Sequence, residues 1–91
     1  MNNNLDINWE ENFEVLELNI QGSFIKGRIK NKKEFYRYVR LTFNIYDSEK
    51  CLIKNENAFI SFLDKNEIWK FNILCSEDFR SCKIVNIEGI K

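Results

Sequence analysis

Three cysteines are the side chains best suited to nucleophilic or metal chemistry in this chain of 91 residues, which contains no histidine. Cys51, Cys75 and Cys82 show no C-x-x-C spacing and have no histidine companion, so the pattern does not indicate a zinc site. The absence of histidine also removes the commonest general base and excludes Ser-His-Asp and Cys-His catalysis within the chain. We therefore predict no metal site and no cofactor.

Two of these cysteines flank one short loop. Cys75 and Cys82 lie on either side of a six-residue segment between two predicted strands. In an exported protein a disulfide here would contribute roughly 2–3 kcal/mol by loop-entropy reasoning. In a cytosolic protein both would remain reduced, partly buried thiols. The odd number of cysteines favours the reduced state, and so does the N-terminal sequence, which lacks the features of a signal peptide.

The carboxylates are scattered over predicted turns and outward strand positions. A glycosidase needs two acids facing each other across a cleft, and no pair here is expected to do so. Asp47, Glu49 and Asp64 offer oxygen ligands for calcium, but they lack the dense Asp/Asn pattern of a dedicated calcium loop. Turn capping is the interpretation we favour for these residues. We predict that the protein is not an enzyme.

The charge is balanced overall but unevenly distributed. The chain has 14 basic and 14 acidic residues, so no global field attracts nucleic acid or membrane. Residues 1–21 carry acids and no base, whereas residues 26–40 carry many bases and a single acid, Glu34. Cationic grooves with stacking rings bind single-stranded nucleic acid. The candidate partner-binding residues are Lys26, Arg28, Lys30, Lys32, Lys33, Tyr36, Arg37, Tyr38 and Arg40.

Topology decides whether this basic segment forms one surface. In a small five-stranded barrel the second and third strands can be adjacent and share a face. In an immunoglobulin-like sandwich they usually lie in opposite sheets, so that the bases of residues 26–30 point away from Tyr38 and Arg40. An acidic first strand beside residues 26–30 would also neutralise these bases through cross-strand pairs.

The dominant hydrophobic period is two, which predicts strands. A change of parity near Val15 and Leu16 indicates a β-bulge. Regular spacing of six or seven strands is typical of a sandwich or small barrel. The predicted strands are Phe13–Ile20, Phe24–Lys30, Tyr36–Tyr46, Cys51–Lys54, Ala58–Leu63, Glu67–Cys75 and Cys82–Ile90.

The chain is short enough for one domain. We predict a polar lead-in over residues 1–12, with Ile7 and Trp9 against the core, followed by a β-domain over residues 13–91. No apolar run is long enough to predict a membrane span. The protein is expected in the cytoplasm if the chain is complete as given, and outside it if an export signal has been removed.

Three segments in order resemble the FxLYD domain family. Phe43-Asn44-Ile45-Tyr46-Asp47 resembles the family signature, with Ile at the Leu position. Upstream, Ile25-x-Gly27-x-Ile29-x-Asn31 is similar to its apolar-x-Gly-x-apolar-x-Asn segment. Downstream, residues 63–71 are similar to its Leu-x-Pro-Gly-Glu-x-x-x-Phe segment, although Lys65-Asn66 replaces Pro-Gly and Lys50 stands where a turn glycine is common. The match extends over roughly residues 13–90, which is most of the chain.

The resemblance implies an immunoglobulin-like or fibronectin-like antiparallel β-sandwich of about seven strands. Members are mostly bacterial and archaeal, often exported or lipid-anchored, and the family carries no catalytic residues over to this chain.

The residues of the resemblance also have structural tasks of their own. Phe43 and Ile45 are expected in the core, and Asp47 is expected to set a turn. Gly27 would allow the close approach of a ring or backbone, and Asn31 would tie a loop with side-chain hydrogen bonds. The structural signature comprises Gly27, Asn31, Phe43, Ile45, Tyr46, Asp47, Leu63, Glu67 and Phe71.

These observations predict a non-catalytic β-sandwich module. It would bind another protein or a cell-envelope component, or act as a spacer. The alternative is a small cytoplasmic regulator that binds single-stranded nucleic acid or an acidic partner through residues 26–40. Trp9, Tyr36 and Tyr38 are the rings expected to be exposed for a partner. The oligomeric state remains open.

Overall fold

A computed structural model describes residues 8–91. Within that range a 3₁₀ helix over Trp9–Glu11 precedes six strands, and no helix is long and apolar enough to cross a bilayer. The all-β prediction is confirmed, with six strands in place of seven. The strands are β1 (Phe13–Gln21), β2 (Phe24–Asn31), β3 (Tyr36–Tyr46), β4 (Leu52–Leu63), β5 (Ile68–Leu74) and β6 (Ser81–Ile90).

The missing strand is accounted for by β4. Two short strands were predicted, at Cys51–Lys54 and Ala58–Leu63, but β4 is continuous and pairs with β3 from Leu63 opposite Tyr36 to Leu52 opposite Tyr46. The intervening residues 54–57 are Lys-Asn-Glu-Asn, which lack β propensity. Main-chain pairing with the long β3 overrides that local preference.

Two charged residues of β4 point toward the core side of the sheet. Lys54 lies opposite Ile45 and Glu56 opposite Phe43, both of which are fully buried. The Lys54 Nζ atom lies 3.3 Å from Glu56 Oε2 and 2.9 Å from an oxygen of Glu77. Hydrogen bonding to Glu77, and then to Glu56, raises the pKa of Lys54. Inward charges of this kind on an edge strand oppose the addition of another strand.

The strands form two antiparallel three-stranded sheets. Sheet 1 has the order β1-β2-β5 and sheet 2 the order β4-β3-β6. The second and third strands therefore lie in different sheets, as the sandwich alternative anticipated. The predicted bulge of β1 is confirmed between Val15 and Glu17. Between Thr42 and Phe43 the register with β6 also shifts, because β6 carries one extra residue there.

Apolar side chains of both sheets form the core between them. Phe43 and Ile45 are fully buried, as predicted. Phe43 packs on Phe71 across the sheets with ring centroids 5.7 Å apart. The fully buried hydrophobic residues are Ile25, Ile29, Val39, Leu41, Phe43, Ile45 and Cys75.

Two aromatic residues near the start of the domain also belong to this core. Tyr36 was expected to be exposed, but it is only 5% exposed and stacks on Phe13 at 5.5 Å. That prediction was wrong because Tyr36 packs over Gly89 as well, where the missing side chain leaves room for its ring. Trp9 is half-buried and packs against the core, which agrees with its predicted place in the lead-in and leaves it less exposed than a partner-binding ring was expected to be. Ile7 lies outside the described residues.

Asn31 is the one buried polar residue of the described chain, and it joins the two sheets. Its Nδ2 donates to the carbonyl oxygens of Glu34 (2.6 Å), Leu63 (3.1 Å) and Asp64 (3.1 Å). Its Oδ1 accepts from the backbone N–H of Lys33 at 3.1 Å. The predicted loop-tying role is confirmed, and it extends across the sandwich because Asn31 ends β2 while Leu63 ends β4.

Gly27 leaves space for the ring of Phe71. A Cβ atom there would lie 2.5 Å from Phe71 Cζ and 2.5 Å from the carbonyl oxygen of Glu17. We expect Gly27→Ala to lower the free energy of unfolding by about 1–3 kcal/mol, since a backbone atom must shift as well as the ring. Urea denaturation of Gly27→Ala and of Gly27→Ala/Phe71→Leu measures this. If the double variant recovers none of the lost stability, the contact with the carbonyl oxygen of Glu17 alone accounts for the loss.

Side-chain hydrogen bonds and one left-handed residue shape the turns after β3 and β4. Asp47 Oδ1 accepts from the backbone N–H groups of Glu49 and Cys51, each at 2.9 Å. Glu67 Oε1 accepts from the N–H of Asp64 at 2.7 Å. Asn66 adopts a left-handed φ of 72°, as its type allows. The turn role predicted for Asp47 is confirmed, and the capping contact of Glu67 was not predicted.

Candidate interaction surface

Two pairs of aromatic rings lie near the start of β3 and the end of β4. Phe35 stacks on Phe62 with centroids 6.3 Å apart, and Tyr38 lies against Phe59 at 5.6 Å. We call these four residues the ring cluster. Phe35, Phe59 and Phe62 are 46%, 54% and 66% exposed, so most of their apolar area faces water. Tyr38 is half-buried.

Antiparallel pairing brings these rings together although they are distant in sequence. In the β3–β4 ribbon, Tyr38 lies opposite Ser61 and Arg40 lies opposite Phe59. Tyr38 and Phe59 are therefore diagonal neighbours across the two strands. Cross-strand neighbours on one face approach to roughly 5 Å between Cβ atoms, and diagonal neighbours to roughly 7 Å. The antiparallel pairing therefore places both ring pairs near the same end of the β3–β4 ribbon.

Phe62 occupies an unfavourable backbone conformation. Its φ is 61°, in the left-handed region that a bulky residue seldom adopts. Such a conformation costs of order 1–3 kcal/mol. Because its ring is two-thirds exposed, burial in the core does not offset this cost. The stability of the fold therefore does not explain a phenylalanine at position 62.

The rest of this face is polar, and its side chains bond to one another. Arg40 pairs with Glu88 at 2.6 Å across β3 and β6. Thr42 Oγ1 donates to Asn57 at 2.9 Å, one step further along the ribbon. The ring cluster thus adjoins a polar surface whose hydrogen bonds are largely internal.

The structure divides the basic segment among several locations. Residues 26–30 lie on β2 in sheet 1, and residues 37–40 lie on β3 in sheet 2. Between them, Lys32 donates from Nζ to the carbonyl oxygen of Glu10 at 3.1 Å, and Lys33 is exposed beside Asn31. Tyr36 lies in the core. The nine candidate residues therefore do not form one surface.

The bases on β2 face the acidic first strand, as the sequence suggested. Glu14 lies opposite Lys30 and Glu17 opposite Arg28. Arg28 Nε is 2.8 Å from Glu17 Oε1. The hydrogen bond from Arg28, followed by one from Asn19, lowers the pKa of Glu17. The acids of β1 therefore offset part of the positive charge of β2, through one ion pair and one further cross-strand neighbour.

Among residues 8–91, one group of thiol and acid side chains is close enough to share a metal ion. Asp47, Glu49 and Cys51 place one ligand atom each within 4.8 Å of one another, but Asp47 already uses Oδ1 to cap the turn. Cys75 is buried and Cys82 half-buried. Burial, and secondarily the neighbouring Cys75, raises the pKa of Cys82, which lowers its thiolate fraction at neutral pH.

Sequence reasoning placed Phe35 among the rings of the basic segment but missed Phe59 and Phe62 as surface rings. Phe59 was placed in a short predicted strand, where a Phe is normally a core residue. A signal was present in the adjacent pair Phe62-Leu63, since two consecutive apolar residues of a strand cannot both face the core. Leu63 faces the core, 3% exposed, and Phe62 does not.

Comparison with family models, curated proteins and solved structures returned no match to this chain.

Proposed function

We propose that the chain is a non-catalytic β-sandwich module that binds another protein through the ring cluster. The observation that carries this proposal is the exposure of Phe35, Phe59 and Phe62 at one end of one ribbon. Aromatic residues dominate the energetics of protein interfaces, and contiguous exposed apolar area on a small domain marks such sites. Phe62 supports it further, because a strained and exposed ring has no folding benefit to explain it.

The finer fold assignment belongs to the same proposal. In an immunoglobulin-like sandwich, strands A, B and E form one sheet, and strands C and F pair in the other. The orders β1-β2-β5 and β4-β3-β6 follow that scheme, with β4 at the C′ position. This supports an immunoglobulin-like sandwich, and with the three sequence segments it supports the FxLYD resemblance. A protein-binding, envelope-associated or spacer module fits such a domain.

Two features of the chain support a non-catalytic role. The sequence has no histidine, and Asp47 and Glu67 are engaged in capping turns. Ion pairs account for the shifted pKa values of Lys54, Glu17 and Lys91, whereas burial raises the pKa values of Tyr36 and Cys82. Such pairs serve sheet structure without forming an acid–base pair in a cleft.

Phe62→Gly is the most informative variant for this proposal. Glycine adopts positive φ without strain, so the variant should keep or raise the melting temperature. It should nonetheless lose partner binding. If Phe62 had only a structural role, the variant would not lose partner binding while keeping its melting temperature.

The binding test compares proteins captured on the immobilised wild type, on Phe62→Gly and on Phe59→Ser. Leu74→Ser, at an apolar residue of sheet 1 that is 60% exposed, is the matched control. We expect at least one protein that the control and the wild type retain and both ring variants lose, with affinity reduced about tenfold or more by calorimetry. Equal capture by all four proteins would refute the proposal.

Single-stranded nucleic acid is the second candidate. Tyr38 and Phe59 form a ring pair beside Arg40, which is the arrangement that stacked bases require. The division of the other bases between two sheets weighs against it. A labelled oligothymidylate, titrated at low salt, tests this reading. Binding that weakens steeply with salt and with Arg40→Gln would favour nucleic acid over a protein partner.

A further inference from the structure

One side of the sandwich is incompletely covered. β4 and β5, the last strands of their sheets, contact each other. The other two terminal strands, β1 and β6, are therefore on the opposite side, where the 3₁₀ helix that precedes β1 contacts both of them. A groove on the β6 side is lined by Asn12, by Lys33, Glu34 and Tyr36 around the start of β3, and by Asn86–Gly89 and Lys91. Within the described chain, the outer edge of β6 has no strand paired to it.

Core-facing side chains of β1 are exposed along this side. Leu18 lies opposite Gly27 and Ile20 opposite Ile25, so both point to the interior of the sandwich. Ile25 is fully buried, yet Ile20 is 36% exposed and Leu18 is half-buried. Leu16, at the bulge, is 37% exposed. An apolar strip thus lies beneath an unpaired strand edge.

The sequence of β6 is complementary to itself in antiparallel pairing. The register that overlaps the whole strand with a copy places Ser81 opposite Ile90. The same register places Ile84 opposite Ile87, and these are the two core-facing residues of β6, 9% and 3% exposed. It also places Lys83 opposite Glu88, twice by symmetry. Strand register is set by such matching of the buried face.

We propose that this side of the molecule binds a second copy of the chain by antiparallel pairing of β6 with β6. The two-fold axis runs perpendicular to the sheets, so sheet 2 continues from one copy into the other. The same rotation brings the two β1 strands together and covers Leu16, Leu18 and Ile20. One symmetric contact thereby pairs an open edge and removes an apolar strip from water.

Charge complementarity selects this occupant and register. Lys83 and Glu88 are the only charged residues of β6. A shift that placed Ile87 opposite its own copy would set Lys83 against Lys91, and like charges directly opposite are destabilising. The full-overlap register has two favourable pairs, and Arg40, which already bonds Glu88, lies alongside on β3.

Sedimentation equilibrium on the wild type and three variants tests the proposal. We expect the wild type to form a dimer in a concentration-dependent way. Lys83→Glu should weaken dimerisation about tenfold or more, because it opposes Glu88 with a like charge at two places. The double variant Lys83→Glu/Glu88→Lys should restore it. Lys70→Glu on β5, with the same change in charge, is the control and should dimerise as the wild type does.

Hydrogen exchange locates the contact independently of these variants. Amides of β6 and β1 should gain protection as the protein concentration rises, and those of β5 should not. A wild type that remains monomeric at ~0.5 mM would overturn the proposal, as would a dimer that instead protects residues 35 and 59–62. Phe62→Gly should dimerise normally, which separates this contact from partner binding by the ring cluster.

Discussion

Replacing Asn31 with alanine should be among the most destabilising single substitutions in this protein. The side chain is fully buried, and its amide supplies the donor for three carbonyl oxygens. Without it, the carbonyl of Leu63 loses a buried partner that water cannot easily replace. Each unsatisfied buried group costs about 1–3 kcal/mol, so we expect a loss of about 3–5 kcal/mol. For a small domain that is a large share of the whole stability.

Urea denaturation measures this loss, with Asn72→Ala as the matched control. Asn72 is an exposed asparagine on β5, and its replacement should change the free energy of unfolding by less than about 0.5 kcal/mol. Similar midpoints for Asn31→Ala and Asn72→Ala would show that the buried amide does not join the two sheets energetically.

Asn31→Asp makes the same contact dependent on pH. A buried aspartate facing carbonyl oxygens donates only when protonated, so its pKa in the folded state should rise above the unfolded value of about 3.9. The stability it provides is therefore present below about pH 4 and is lost as the pH rises through the folded-state pKa. Wild-type protein measured over the same range separates this effect from the titration of other carboxylates.

Phe43→Ala should have an effect of comparable size. The ring is fully buried and lies 5.7 Å from the Phe71 ring, between the two sheets. Truncating a buried phenylalanine removes its apolar contacts and leaves a cavity, at a cost of about 3–5 kcal/mol. Thermal and urea unfolding both report this loss.

Phe59→Ala provides the control for the same change of side chain. Phe59 is 54% exposed on β4, so its truncation should cost less than about 1 kcal/mol. A large loss in Phe59→Ala, matched to that of Phe43→Ala, would mean that the ring cluster stabilises the fold, and its proposed role in binding would lose its main argument.

Much of the fold was accessible from the sequence because inward and outward positions alternate cleanly in β3. Phe43 and Ile45 were placed correctly for that reason, and Asp47 for its known preference in turns. The pattern failed at β4, where Lys54 and Glu56 occupy core-facing positions. Hydrophobic alternation cannot identify a strand whose inward residues are charged, since only the partner strand supplies the pairing.

The surface was harder to predict than the core. Tyr36 and Tyr38 differ little in sequence context, yet one packs over Gly89 and the other stays at the surface. Phe59 and Phe62 belong to a site only because β4 returns alongside β3. Such a site depends on long-range pairing, which local composition does not encode.

The ion pairs of Lys54 with Glu56 and Glu77 limit how the protein can assemble. They lie on the β4 edge of sheet 2, whereas the β6 edge of the same sheet pairs with no strand in residues 8–91. A sheet with two receptive edges can grow without end into a fibril. If the β4 edge cannot add a strand, a two-fold contact at the β6 edge leaves no edge of sheet 2 free for further strand addition. The asymmetry of the two edges therefore favours a finite assembly over a polymer.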